Sequence, residues 1–368
     1  ISKKLNDSKK VVVFLTLQDL NGNEIKKRHR QIFKNKVDLL IVDETHFAAR
    51  AKSYGRVLRK ENPSQEELDT VADAEKTIKR IHAEITLHLS GTPYEILANR
   101  EFERDAIIAQ YQFSDIIADR QKWDKENADA ILKGDSDAED GAKPAYEWDN
   151  PYFGFPEMIR FAFHLNKSAR EKLAQLEEEG KTTAFSELFG TYSNDEDATG
   201  HDCFKNEREV FDFLKVIDGT EADDEVFGFL DYDKIKKGHM CRHMVMALPY
   251  CASCDAMEKL LDEHKDAFQN LSEYHVLNIS GFNRPKDFDD LSKIKEKITA
   301  YEANDEKTLT LTVNRMLTGC TVPEWDTMIY LKGTASPQEY DQAIFRLQSQ
   351  FVKTYVDGDK CIKIDMKP

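Results

Sequence analysis

Apolar residues gather into short runs separated by longer stretches of helical spacing, and this alternation recurs along most of the chain. Residues 11–17 read Val-Val-Val-Phe-Leu-Thr-Leu, residues 37–42 Val-Asp-Leu-Leu-Ile-Val, and residues 84–89 Glu-Ile-Thr-Leu-His-Leu. Such runs predict strands. Helices are predicted over 24–33, 66–82, 102–110 and 113–127, and another strand over 158–165, after the turns at Asn150-Pro151 and Phe155-Pro156. The alternation resumes later, with strands at 242–248, 274–279, 309–312, 327–331 and 361–364. Helices are expected there at 255–264, 287–300 and 337–348. Between the halves, residues 166–238 break the rhythm. Helical spacing at 168–179 and 207–216 flanks a polar, acidic stretch punctuated by glycine. Strand–helix alternation predicts parallel sheets with helices on both faces. The expected fold is therefore α/β, with two doubly wound lobes at 1–165 and 239–368 joined by a helical insert or linker at 166–238. No period of 20–50 residues recurs, which argues against a solenoid.

The ends of two predicted strands carry chemistry. The apolar run Leu39-Leu40-Ile41-Val42 stops at Asp43-Glu44, followed by Thr45-His46. Ligands of open parallel sheets bind outside the carboxyl ends of the strands. An acid there can hold Mg²⁺ while its neighbour orients the water that attacks a γ-phosphate. Taken alone, the pair also fits a core strand closed by two solvated acids. A second tip, Leu87-His88-Leu89-Ser90-Gly91-Thr92-Pro93-Tyr94, ends in small hydroxyl residues.

The order of the following segments decides between these readings. Downstream come Thr312-Val313-Asn314-Arg315-Met316-Leu317-Thr318-Gly319-Cys320 and then Gln342-Ala343-Ile344-Phe345-Arg346-Leu347-Gln348-Ser349. With the two strand tips, these resemble motifs II, III, V and VI of superfamily 2 (DExH-type) helicases and translocases, in the expected order. The resemblance is nearest to the motor subunits of type I and type III restriction enzymes and related phage-defence helicases. It runs from about residue 11 to residue 350, and the middle third matches only loosely.

The resemblance implies two tandem RecA-like lobes, with ATP and Mg²⁺ as cofactors. It implies Asp43 as the Mg²⁺ residue, Glu44 as the water-orienting base, and Arg346 as the guanidinium that reaches the γ-phosphate. His46, Ser90, Thr92 and Gln342 correspond to positions that couple hydrolysis to movement. Thr16 and Gln18, at the end of the first strand, fall where the family touches the nucleic-acid backbone. Thr312, Thr318 and Gly319 match the motif that meets both backbone and nucleotide. His46 can also be a capped surface histidine, and Arg346 a helix-surface arginine paired to Asp341 or Glu339. Two departures stand out. Thr321 occupies a position where the family commonly has Asp, and the last motif keeps Gln342 and Arg346 but has Phe345 for its glycine and Ser349 for its second arginine.

Such motors need a phosphate-cradling Gly-x-x-x-x-Gly-Lys-Ser/Thr loop before the acidic strand. The sequence has none ahead of Asp43. Gly180-Lys181-Thr182 is a poor substitute, because Gln175 stands where the first glycine belongs and a charged helical stretch precedes it. The expectation is a first lobe incomplete at its N-terminus, and a fragment that is inactive alone although the complete protein is an ATP hydrolase.

Composition adjusts this picture. The 368 residues carry 52 basic and 68 acidic side chains, a net charge of −16. That is awkward for a nucleic-acid motor, whose binding surface must be locally basic. Acids concentrate at 135–140, 194–197 and 221–225; bases concentrate at 26–36, as a DNA-facing strip or as the outer face of a helix. No leader or long apolar run is evident, so a cytoplasmic protein without membrane contact is expected. The six cysteines form no dense disulfide framework. Cys251 and Cys254, near His239, Cys241 and His243, invite a zinc reading. The alternation over 239–250 favours a strand instead, and no second Cys-x-x-Cys completes a cage. Three functions remain open. The first is a double-stranded DNA translocase working with nuclease and methyltransferase domains or subunits. The others are a strand-separating RNA or DNA helicase, and an inactive nucleic-acid-binding scaffold derived from such a motor.

Overall fold

The computed structural model describes residues 10–15, 30–43, 78, 80–91, 104–133, 145–160, 184–220, 230, 235, 240–333, 337–358 and 360–367. They belong to two compact units, residues 1–110 and 111–368.

In the first unit a short helix, α1 (Arg30–Lys34), buries Ile32 and leads into β1 (Val37–Val42). This strand pairs in parallel with β2 (Ala83–His88), with Leu39 opposite Ile85 and Val42 opposite His88. Both predicted strands form, but residues 11–15 do not. They pair with no strand among the described residues, and Val12 and Phe14 are exposed. A β-branched run becomes a strand only against a partner edge. Of the helix expected over 102–110, only the 3₁₀ turn Arg104–Ala106 appears in the described part. The β-branched pair Ile107-Ile108 follows it, a poor continuation for a helix. The expected helices over 24–33 and 66–82 lie largely outside the described residues.

The second unit is built on a four-stranded parallel sheet whose strands lie side by side in the order 274–278, 307–312, 243–247 and 327–330. Before it come α2 (Phe113–Glu126), α3 (Ala128–Lys133) and α4 (Glu207–Asp218). Then follow β3 (His243–Ala247), α5 (Cys251–Glu263), β4 (Tyr274–Asn278), α6 (Leu291–Ala303), β5 (Lys307–Thr312), β6 (Thr327–Tyr330) and α7 (Pro337–Ile344). Alternate side chains of a strand point to opposite faces, and β3, buried throughout, serves two cores. Met244 and Met246 join Leu309, Leu311, Met257 and Leu260 on one face. Val245 and Ala247 join Leu277, Ile294, Ile298 and Trp325 on the other.

The first core also takes Phe189, Phe204, Val210, Leu214 and Ile217, so the described part of the 184–220 segment packs onto the sheet. Helix α4 presents Val210, Leu214 and Ile217 at helical spacing and stops at Gly219, whose positive φ supplies the left-handed C-cap. Helix 287–300 is realised in two pieces. A 3₁₀ turn, Lys286–Asp289, precedes α6, and Asp290 caps α6 by accepting from Ser292 N at 2.9 Å.

Two differences from expectation concern sheet content. Residues 158–160 form no strand; the remainder of that predicted strand is outside the described residues. The closing strand, β8 (Lys360–Asp365), is one arm of an antiparallel hairpin whose other arm, β7 (Val352–Asp357), the sequence pattern does not announce. Residues 145–160 meet this end of the chain, where Gln350 Nε2 donates to Phe153 O at 2.7 Å. Arg120 of α2 donates to Phe155 O at 2.7 Å.

Candidate functional site

In the first unit the candidate site is set by strand register. Val42 pairs with His88, and Leu89 N donates to Val42 O at 2.9 Å. Asp43 therefore leaves one strand where Leu89 and Ser90 leave the other. The acid and the hydroxyl residue, distant in sequence, end at the same carboxyl edge. A carboxylate is the kind of hard oxygen donor that suits Mg²⁺. Glu44, His46, Thr92, Thr16 and Gln18 lie outside the described residues, as does 180–183.

In the second unit the corresponding edge is a set of braced loops. At the end of β5, the buried Thr312 hydroxyl donates to Arg315 O at 2.8 Å and meets Ser280 Oγ at 3.0 Å. Leu317 N donates to Asn314 O, and Met316 turns the chain with a φ of 65°. A non-glycine residue in that region is strained, and strain of this kind gathers at functional loops. Arg315 fastens the turn to its neighbours, with Nη1 on Ile279 O at 3.3 Å and Nη2 on Asp289 O at 2.8 Å. Thr318 and Gly319 are left exposed at the tip. Of the three predicted contact residues here, Thr312 shapes the loop and Thr318 and Gly319 face solvent.

Arg346 lies just beyond α7, in the 3₁₀ turn Phe345–Gln348. Its Nε donates to Gln342 O at 3.1 Å and its Nη1 to Cys320 O at 2.8 Å. The structure thus brings Arg346 and Gln342 against the end of the Thr318–Gly319 loop. Neither carboxylate considered from the sequence holds the guanidinium; Glu339 instead accepts from Lys332 Nζ at 2.7 Å.

The loop after β4 is fixed as firmly. Asp255, buried in the first turns of α5, accepts from Asn278 Nδ2 at 2.8 Å, Phe282 N at 2.8 Å and Asn283 N at 3.1 Å. Gly281 passes so close that an added Cβ would collide with Asp255 Oδ1 and Asn278 Nδ2. His201 stands over this loop, 3.3 Å from Asn283 Nδ2.

At the opposite edge, His243 is held by Glu302 at 2.7 Å and Thr308 at 2.9 Å. Burial pushes the Cys241 thiol up to about 12. Among the described residues no group of three metal-ligating side chains converges.

Sequence reasoning missed Lys332, Asn314 and Arg315. Arg315 acts through backbone carbonyls and Lys332 through Asn314 and Glu339, partners that leave no spacing signature. The one signal in the sequence is a lysine directly after an apolar strand end, where a solvated residue is the ordinary expectation.

Two comparisons bear on this geometry. Residues 1–95 match the family model "Type III restriction enzyme, res subunit", a stretch that includes Asp43 and Ser90. A Mycoplasma pneumoniae protein named "Putative type II restriction enzyme and methyltransferase RM.MpnORF110P C-terminus" is 26% identical over 384 residues, covering 95% of this chain and 49% of that protein. The chain thus spans about half the length of that relative. With the motif order, these findings make the chain similar to restriction-related helicases. No helix among the described residues is long and apolar enough to cross a membrane.

Proposed function

We propose that this chain is the motor region of an ATP-dependent translocase that moves on double-stranded DNA within a restriction or anti-phage system. The reading starts from the likeness of residues 1–95 to the res subunit of type III restriction enzymes. The observation that carries it is the register Val42–His88, which sets Asp43 and Ser90 at one carboxyl edge inside that matched stretch. In this proposal two RecA-like lobes, 1–165 and 239–368, flank the 166–238 segment. Asp43 holds Mg²⁺, Glu44 orients the attacking water, and Arg346 stabilises charge on the γ-phosphate. The bound nucleotide with its Mg²⁺ supplies the energy of hydrolysis. His46, Ser90, Thr92 and Gln342 couple that energy to movement. Thr16, Gln18, Thr318 and Gly319 meet nucleotide or DNA backbone, on a loop that Thr312 shapes. Nuclease and methyltransferase activities reside in other domains or subunits, and the assembly works in the cytoplasm.

One observation favours a second reading, a helicase-derived scaffold that binds DNA without turnover. Arg346 spends Nε and Nη1 on carbonyls of its own unit, and Phe345 stands in place of a glycine. ATP turnover by the complete protein, measured with duplex DNA, single-stranded DNA, RNA or no nucleic acid, separates the readings. Stimulation by duplex DNA that Glu44→Gln abolishes supports the translocase. Stimulation only by single strands points to a strand-separating helicase, and binding without any turnover points to the scaffold.

A further inference from the structure

Lys332 lies two residues beyond β6 and is only 8% exposed. Its Nζ donates to Asn314 Oδ1 and, at 2.7 Å, to Glu339 Oε1, with the Tyr330 ring 5.8 Å away. Asn314 belongs to the loop after β5, and Glu339 to the first turn of α7. Strands β5 and β6 are not neighbours, because β3 runs between them. Leu331 N donates to Ala247 O at 2.8 Å, which seats the lysine at the end of β3. The ammonium therefore spans the carboxyl edge of the central strand and joins two segments that no sheet bond connects. A second tie runs beside it, from Arg346 Nη1 to Cys320 O. Burying an ammonium is costly even when it is paired, and an apolar chain of similar volume can fill such a space as stably. What the charge adds here is a fixed geometry between loop and helix.

We propose that Lys332 is a positioning residue that locks loop 313–320 to α7, so that Thr318–Gly319 and Gln342–Arg346 shift as one body. DNA engaged at the exposed loop tip is then felt at the arginine through the Arg346–Cys320 bond, which the Lys332 bridge holds in register. The inference rests on the motor reading above.

The test uses the complete protein and the variants Lys332→Met, Glu339→Ala and the pair combined. Each single change should lower DNA-stimulated kcat at least tenfold while KM for ATP stays within twofold. The double variant should fall no further than the worse single one, because both remove the same tie. Hydrogen exchange supplies a readout independent of turnover. In Lys332→Met, amides of 313–320 and 337–348 should exchange faster together. Unchanged kcat with an active parent overturns the tie and leaves the motor reading standing, as do losses that multiply in the double variant. A parent without DNA-stimulated turnover defeats the motor reading, and exchange then decides the tie alone: a joint rise supports it, and a rise confined to 331–333 overturns it. Should Lys332→Met fail to fold, Asn314→Ala removes one bond of the same tie and is read by the same exchange criterion.

Discussion

Replacing Glu302 by Gln tests the packing of the second unit through a single carboxylate. Glu302, buried on α6, accepts from His243 Nε2 at 2.7 Å, Arg242 Nε at 3.2 Å and Nη2 at 3.1 Å, and Lys353 Nζ at 2.5 Å. It thereby ties β3 and β7 to α6. Burial pushes its pKa up, but hydrogen bonds from His243 and Lys353 and the Arg242 charge outweigh that and lower it from 4.5 to about 2. Because the folded value is depressed, the stabilisation is fully present above the unfolded pKa near 4.5 and is lost as pH falls toward 2. At about 1.4 kcal/mol per tenfold change in proton affinity, the group contributes about 3 kcal/mol at neutral pH. Removing one partner of a buried ion pair costs about 3–5 kcal/mol, in line with that figure. All three tryptophans, Trp123, Trp148 and Trp325, lie in the second unit, so tryptophan fluorescence in urea reports on that unit. The expected loss for Glu302→Gln is about 3 kcal/mol at neutral pH, shrinking to about 1 kcal/mol near pH 3 as the parental carboxyl protonates in the unfolded chain. An equal loss at both pH values would refute the electrostatic account, and no loss at neutral pH would refute the network itself.

Gly281→Ala drives a methyl group into the Asp255–Asn278 pair and should cost about 1–3 kcal/mol, the range for overpacking a close-packed site; thermal unfolding at the parental temperature would contradict the crowding at that loop. Lys367, buried with its Nζ on Leu347 O at 3.0 Å and Ser349 O at 2.9 Å, has its pKa lowered by burial from 10.5 to about 8. Between those values the unfolded chain holds a proton that the folded chain has released, so this group's contribution to stability rises with pH across that window. A side-chain NMR titration should give a midpoint near 8 for Lys367, and a midpoint at the ordinary lysine value would show that the amine is hydrated.

Much of the second unit is legible in the sequence because its strands and helices are long enough for period and turn residues to agree. Residues 244–247, Met-Val-Met-Ala, are apolar on both faces, the mark of a central parallel strand. Hairpin arm β7 escapes notice because Val352-Lys353-Thr354-Tyr355 follows directly on the motif turn, and its partner is needed to make it a strand. The 11–15 run reads as a strand because β-branched residues favour one, yet propensity alone gives no edge to pair with. Order and spacing mark Asp43, Ser90, Thr318 and Arg346 as candidates. They could not reveal that Arg346 binds Cys320 O, nor that Lys332 bridges Asn314 and Glu339. Backbone carbonyls occur at every residue, and the Lys332 partners lie 18 and 7 residues away on separate elements, so neither contact leaves a trace in spacing.

Displacement of a third strand from a duplex by the complete protein tests the motor claim most directly, because it reads movement rather than binding or hydrolysis. Glu44→Gln keeps the side-chain size and removes the charged group proposed to orient water, while Asp43, the proposed Mg²⁺ ligand, is unchanged. Arg346→Ala removes the guanidinium proposed for the γ-phosphate. The account predicts that the parent displaces the third strand in the presence of ATP and Mg²⁺. Both variants should bind duplex DNA as the parent does, since backbone contacts are spread over many groups, and should fail to displace. Displacement by both variants at the parental rate would contradict the account.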